Sequence, residues 1–114
     1  MAIPHAKPAK VIDIRPLGTE LQDAQTTTLI KTDSLEVIRL VLPVGKDIKR
    51  HSVPGEITVQ CLEGKVVLSA GESECQLTTG QLLYLPGSGK HALRAVEDSS
   101  LLVTILLEHK QPRA

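Results

Sequence analysis

The chain has 114 residues, 41% of them apolar and 23% charged, which suits one globular domain able to build its own core without disulfides or a structural metal. Thirteen basic and thirteen acidic residues cancel, so there is no electrostatic footprint for nucleic acid or an anionic membrane. Tyr84 stands alone among Phe, Tyr and Trp positions, so the core must be Val, Leu and Ile, and ligands held by stacking on ring faces are disfavoured.

Residues 1–10 carry Pro4, Lys7, Pro8 and Lys10 and read as a flexible arm; residues 11–114 read as one domain. The arm has no apolar stretch of the secretory kind, and no later run is long enough to span a bilayer. Cys61 and Cys75 lie in neither a redox nor a zinc spacing. A reduced, cytoplasmic setting is the expectation.

Val11 to Ile14 alternates and reads as a first strand. Leu17 to Ala24 comes nearest to a helix, but Pro16 and Gly18 weaken it. Thr-rich Gln25 to Lys31 suits a strand, and Leu35 to Leu42 is strongly β-prone before Pro43 and Gly45. Ile57 to Leu62 ends at Glu63-Gly64. Lys65 to Ala70 and Glu74 to Thr78 flank Gly71-Glu72-Ser73 and read as a hairpin. Leu82 to Leu85 lies between Gly80 and Pro86-Gly87. His91 to Val96 and Leu101 to Leu107 close the series, with Glu97-Asp98-Ser99-Ser100 as the turn between them. By periodicity alone Leu101 to Leu107 also fits a buried helix; its short length after a turn favours a strand. Short strands at this regular spacing predict an all-β sandwich or barrel of antiparallel sheets with little or no helix.

Gly45, five residues, His51, then Pro54-Gly55-Glu56 and Leu62-Glu63-Gly64 resemble the first motif of the cupin superfamily. Gly80, five residues, Pro86 and then His91 resemble its second. The resemblance implies a jelly-roll barrel (a double-stranded β-helix) of the small single-domain, RmlC-like kind, in which homodimers are common. It also implies a metal held by two His and a carboxylate from the first motif and one His from the second. Here His51 matches the first ligand and His91 the last. Val53 stands at the second His position and Ile57 at the carboxylate position; Glu56 is one residue out of step, which in a strand means the opposite face. Val and Ile have no donor atoms, so the motif is degenerate and a divalent zinc, nickel, iron or manganese ion would be held by His51 and His91 weakly or not at all.

Under this fold His51, Val53, Ile57, Val59, Cys61, Leu85, His91 and Leu93 would line the barrel cavity, a mostly apolar wall with two polar groups that suits a small-molecule ligand. His51 and His91 have two readings: a metal pair, or relics bonded to each other, to water or to backbone. Cys61 is either a small buried hydrophobe or, beside a His, a reactive thiolate; Cys75 has no assigned role. Lys46, Lys49, Arg50, Lys90 and Arg94 either rim a mouth that attracts an acidic ligand or are solvated loop charges balanced by Glu56, Glu97 and Asp98. His5 and His109, near the termini, read as solvated. Three functions stay open: a small-molecule-binding domain, a metal-dependent dioxygenase- or isomerase-like enzyme using His51 and His91, and a non-catalytic dimeric sensory or assembly module.

Overall fold

Apolar residues at every second position give a strand one buried face, and the longest such runs in this chain form the best-paired strands of the fold. The computed structural model describes residues 7–51, 54–87 and 89–107, with the side chains of residues 49–51 outside that description. A 3-10 helix over Gly18–Asp23 precedes β1 (Thr27–Lys31), β2 (Leu35–Leu42), β3 (Asp47–His51), β4 (Ile57–Glu63), β5 (Lys65–Ala70), β6 (Ser73–Thr78), β7 (Leu82–Leu85), β8 (His91–Ala95) and β9 (Ser99–Leu106). One sheet has the order β1-β2-β9-β4-β7 and the other β3-β8-β5-β6, and neighbouring strands are antiparallel throughout.

From β2 onward the chain changes sheet at every connection except the β5–β6 hairpin. Consecutive strands therefore mostly face each other across the core instead of pairing, which is the jelly-roll arrangement. In β4, Ile57, Val59 and Cys61 are buried while Thr58 and Gln60 are half-buried. In β8, His91, Leu93 and Ala95 are buried. Ile57, Val59, Cys61, Leu93 and Ala95 meet Leu42, Val66, Leu68, Leu77, Leu85 and Leu101 in a core without Phe, Tyr or Trp. Such a core depends on close packing of branched side chains, and each buried Leu cut to Ala costs about 2–5 kcal/mol.

Several local expectations are corrected. Val11 to Ile14 forms no strand: Val11 is 96% exposed, and this segment is followed by contacts made through other groups. The Arg39 guanidinium donates to the Arg15 carbonyl at 2.8 Å, and the Glu63 carboxylate accepts from the Leu17 and Gly18 amides at 2.9 and 3.1 Å. That anchor, together with buried Leu21, supports a helical turn that the local sequence around Pro16 and Gly18 disfavours. Asp47–His51 is a strand despite its charges because it lies at a sheet edge, where charged residues are tolerated and discourage further pairing. The hairpin loop is shorter than expected, since Ala70 pairs with Ser73 and leaves Gly71-Glu72 as the turn. Ser99 and Ser100 belong to β9 and are fully buried. The Ser99 hydroxyl accepts from the Lys65 amide at 3.0 Å and faces the Glu97 carbonyl at 2.7 Å, and Ser100 donates to Glu63 at 2.6 Å. Buried hydroxyls are acceptable once their hydrogen bonds are made. Of the expected arm, residues 1–6 lie outside the described residues.

Close approach explains Gly55, Gly64 and Gly87, whereas Gly45 and Gly80 have open space around them and are called for by their positive φ of +84° and +88°. Gly64 has φ +96°, and a Cβ there would overlap the Ser99 hydroxyl and the Asp98 carbonyl. A Cβ on Gly87 would overlap the Pro54 carbonyl, and one on Gly55 the Leu106 carbonyl. The Pro-Gly pairs of the two motifs thus pack backbone against backbone, which fixes the segments that lead into β4 and β8.

Candidate functional site

The edge strand β3 pairs with β8 through a bulge between Ile48 and His51, and this irregularity sets His51 directly across from His91. The two histidine positions singled out in the sequence are therefore neighbours on adjacent strands. The His51 side chain and residue Val53 lie outside the described residues.

His91 is 7% exposed and forms a wall shared by two cavities. The inner cavity, about 160 Å³, is lined by Ile38, Leu40, Ile48, Ile57, Val59, Leu93, Val103 and Ile105 in addition to His91. The outer cavity, about 310 Å³, is lined by Ala70, Gly71, Leu85, Pro86, Gly89, Lys90 and His91. Of the eight cavity residues expected from the sequence, Ile57, Val59, His91 and Leu93 line the inner cavity and Leu85 lines the outer one.

Cys61 lies farther along β4, fully buried in the core, with its thiol 3.5 Å from the Glu63 carbonyl and 3.6 Å from that of Gly64. Burial raises its pKa, so it stays a thiol donating to backbone and has none of the thiolate character a nucleophile requires. Cys75 is exposed.

Ile38, Leu40, Ile48, Val103 and Ile105 belong to the site although motif counting did not reach them. The signal was strand parity: β2 pairs with β9 in unbroken register, Ile38 opposite Val103 and Leu40 opposite Leu101, so alternate residues of both strands face inward. Glu56 follows the opposite parity. It is exposed and accepts a 2.9 Å hydrogen bond from the Tyr84 hydroxyl on the outer face. That bond raises the Tyr84 pKa, because losing the phenolic proton would break it. Of the basic residues expected at a rim, the side chains of Lys49 and Arg50 lie outside the described residues, and Arg94 and Lys90 line different surfaces. Arg94 shares a shallow groove on the outside of the smaller sheet with Asp47 and Glu74, and Lys90 is at the outer cavity.

Glu63 carries more of the structure than its place in a turn suggested. Burial acts to raise its pKa, but hydrogen bonds from Leu17, Ser100 and Gly18 outweigh that and hold the carboxyl below its ordinary value. The earlier signal was only that an acidic residue precedes Gly64 at the end of an apolar strand.

The donor set does not fit the metal that the two motifs imply. Ile57, at the carboxylate position, is 3% exposed and packed among aliphatic side chains, and Val53 has no donor atom. Two imidazoles alone remain, fewer than the three protein ligands usual in a zinc enzyme. Among the described residues no three His, Cys, Asp or Glu side chains cluster together.

Comparison with known proteins agrees with this architecture. Among curated proteins no match is found. A conserved protein of unknown function from Streptococcus pyogenes is 26% identical over 96% of this chain and 97% of its own, with a TM-score of 0.73. A cupin superfamily protein from Desulfitobacterium hafniense is 16% identical over 90% of this chain and all of its own (100%), with a TM-score of 0.75. An RmlC-like cupin from Shewanella frigidimarina is 15% identical over 75% of this chain and 77% of its own, with a TM-score of 0.69. The family profile described as the cupin domain matches residues 38–107, more than half of the chain and both histidine positions, and the chain accordingly belongs to the cupin domain family.

Proposed function

We propose that this cupin domain binds a small, largely apolar molecule in the inner cavity. The observation that carries the reading is a hollow of about 160 Å³ walled, among the described residues, by eight aliphatic residues and one histidine. An aliphatic hollow of about this size, roughly 150 Å³, gains little from water and accepts benzene or xenon. A drug-sized ligand needs a pocket of roughly 300 Å³ or more, so the occupant is small. Burying its apolar surface contributes about 25 cal/mol per Å² before the costs of association.

Calorimetric titration with benzene and with cyclohexane tests the reading. Saturable binding of either probe is expected, weakened by Val103→Leu, which fills part of the hollow from its half-buried wall. Absence of saturable binding, or equal binding to the filled variant, would defeat it. The metal-dependent alternative has less support, because Val53 and Ile57 supply no donor atoms.

A second reading, the dimeric module, is favoured by one observation. Leu82, Tyr84 and Leu106 are 63, 57 and 46% exposed, and register places them on the outward face of the larger sheet with Thr58 and Thr104. Covering this apolar face with the same face of a second copy would bury it by two-fold symmetry. A solution mass twice that of the chain, reduced by Leu82→Lys, is the expected result; an unchanged monomer mass would remove this reading.

A further inference from the structure

A third cavity shares no lining residue with the two at His91. It lies where the 3-10 helix meets the end of β2 and the turn that follows, and measures about 460 Å³, within the roughly 300–1,000 Å³ of small-molecule sites. Buried Leu21 and Leu42, half-buried Val41 and exposed Val44 give it aliphatic walls. Val44 is 61% exposed, so apolar surface is on offer for a ligand to cover.

Two carboxylates share these walls, exposed Asp23 and half-buried Asp98. The Val44 amide donates to Asp98 Oδ1 at 2.8 Å and holds that carboxylate against the turn. Among the described residues no Lys, Arg or His lines the cavity, and neither carboxylate is in an ion pair. Lys46, in the same turn, is exposed and outside the lining. Other acid-lined hollows differ: Asp13 and Glu20 share theirs with Arg15 and Arg39, and Asp47 and Glu74 share theirs with Arg94. Only the cavity at Val44 joins aliphatic walls to carboxylates without a lining cation among the described residues.

We infer that this cavity binds an organic ammonium, a primary amine cation whose apolar body covers the aliphatic walls and whose charge faces Asp23 and Asp98. The site is separate from the inner chamber, so the two readings stand or fall independently. A carboxylate ligand would meet like charges here, and a neutral one would gain burial alone. Calcium takes about six to eight oxygen ligands, and two carboxylates, one already accepting from Val44, fall short. A lysine side chain of another protein brings the same charge on a slender aliphatic stem, which covers less of the walls than a free amine carrying a ring. Because Asp23 is exposed, the Coulomb gain is modest and screened by salt.

Titration of the isotope-labelled whole chain with phenethylammonium, 2-phenylethanol and N-acetyl-lysinamide at low ionic strength tests this, followed by backbone amide resonances. The Val44 amide reports on the site because Asp98 accepts its hydrogen. Phenethylammonium is expected to move that resonance saturably and to bind about tenfold more tightly there than 2-phenylethanol, as two partly screened charge pairs supply. Asp23→Asn and Asp98→Asn should each cut the preference to about threefold, and the double variant should abolish it. Asn keeps an acceptor oxygen for the Val44 amide and Asp23 is exposed, so the fold is kept. A still Val44 resonance, equal binding of amine and alcohol at this site, or a preference that survives the double variant overturns the inference. Phenethylammonium shifts confined to Ile57 and Val59 would place it in the inner chamber and equally overturn it. Tighter binding of N-acetyl-lysinamide than of phenethylammonium overturns the choice of a free amine in favour of a protein partner.

Discussion

At the C-terminal end of β4 the buried polar groups find partners: Glu63 holds Leu17, Gly18 and Ser100, Ser99 joins Lys65 to Glu97, and the Cys61 thiol lies against two carbonyls. At the N-terminal end of the same strand, Ile57 and Val59 face a hollow in which His91 is the one polar wall among the described residues. Seven residues therefore span an anchor with saturated hydrogen bonding and an apolar chamber with room to spare. The difference separates what holds the domain together from what a ligand would use. Changes at the Glu63 end should act on stability alone, and changes at the Ile57 end should act on occupancy as well.

The largest effect is expected from Gly64→Ala. It combines a positive φ with overlap onto the Asp98 backbone and the Ser99 side chain, and a loss of about 3 kcal/mol or more should appear in urea unfolding. Gly80→Ala is the control, with φ +88° but no atom within 4 Å of the added carbon; it should cost only about 1–2 kcal/mol. Equal losses for the two would show that overlap at Gly64 is relieved by local movement.

Ile57→Glu comes next and tests the other end. It places a carboxylate at the family's ligand position inside an aliphatic wall, at a cost of about 3 kcal/mol near neutral pH. Because the buried carboxyl is easier to keep protonated, the loss should shrink as pH falls. Zinc or nickel should recover part of it by binding the folded form through the new carboxylate and the two histidines, in proportion to RT ln(1 + [L]/Kd). Thermal melts with and without metal read both effects; no recovery at any metal concentration would mean that His51 and His91 do not converge.

Glu63→Gln should cost about 1–2 kcal/mol by weakening hydrogen bonds made to a charged acceptor. Its folded pKa lies below its unfolded one. The stabilisation is therefore fully present above the unfolded carboxylate value of ~4.3 and is lost as pH falls through the lower folded value. The gap between the two proteins should be constant from neutral to mildly acidic pH and close in strong acid. A gap that widens with acid would contradict the assigned direction.

The smallest effect concerns metal in the unaltered chain. Chelator should leave the melting temperature unchanged, because the aliphatic core folds without help and a pair of imidazoles contributes little binding free energy. Added nickel should give at most a small, concentration-dependent rise. Collapse of the melting transition on chelation would show a structural metal and undo the reading of Val53 and Ile57.

Much of the fold was legible before any coordinates. Leu35–Leu42, Lys65–Ala70 and Leu82–Leu85 follow from apolar content bounded by Gly or Pro, and the outward placement of Glu56 follows from parity with Ile57. The misses share one cause: local composition describes a residue's preferences, whereas pairing depends on its neighbours. Asp47–His51 looks like a charged loop and becomes a strand because β8 offers an open edge. Ser99 and Ser100 look like a turn and are buried because Lys65 and Glu63 satisfy their hydroxyls. Val11 to Ile14 alternates as a strand would, yet no strand among the described residues pairs with it.

The sequence by itself determined the fold class, the family motifs and the loss of two donor positions, because those depend on residue type and on spacing along a period-two backbone. Tertiary structure decided which residues share the chamber and what Glu63 does. Ile38, Leu40, Val103 and Ile105 meet His91 only when the two sheets close over one another, and Glu63 reaches Leu17 across 46 positions of chain. Contacts of that range are set by packing the two sheets around a common core, and no local pattern encodes them.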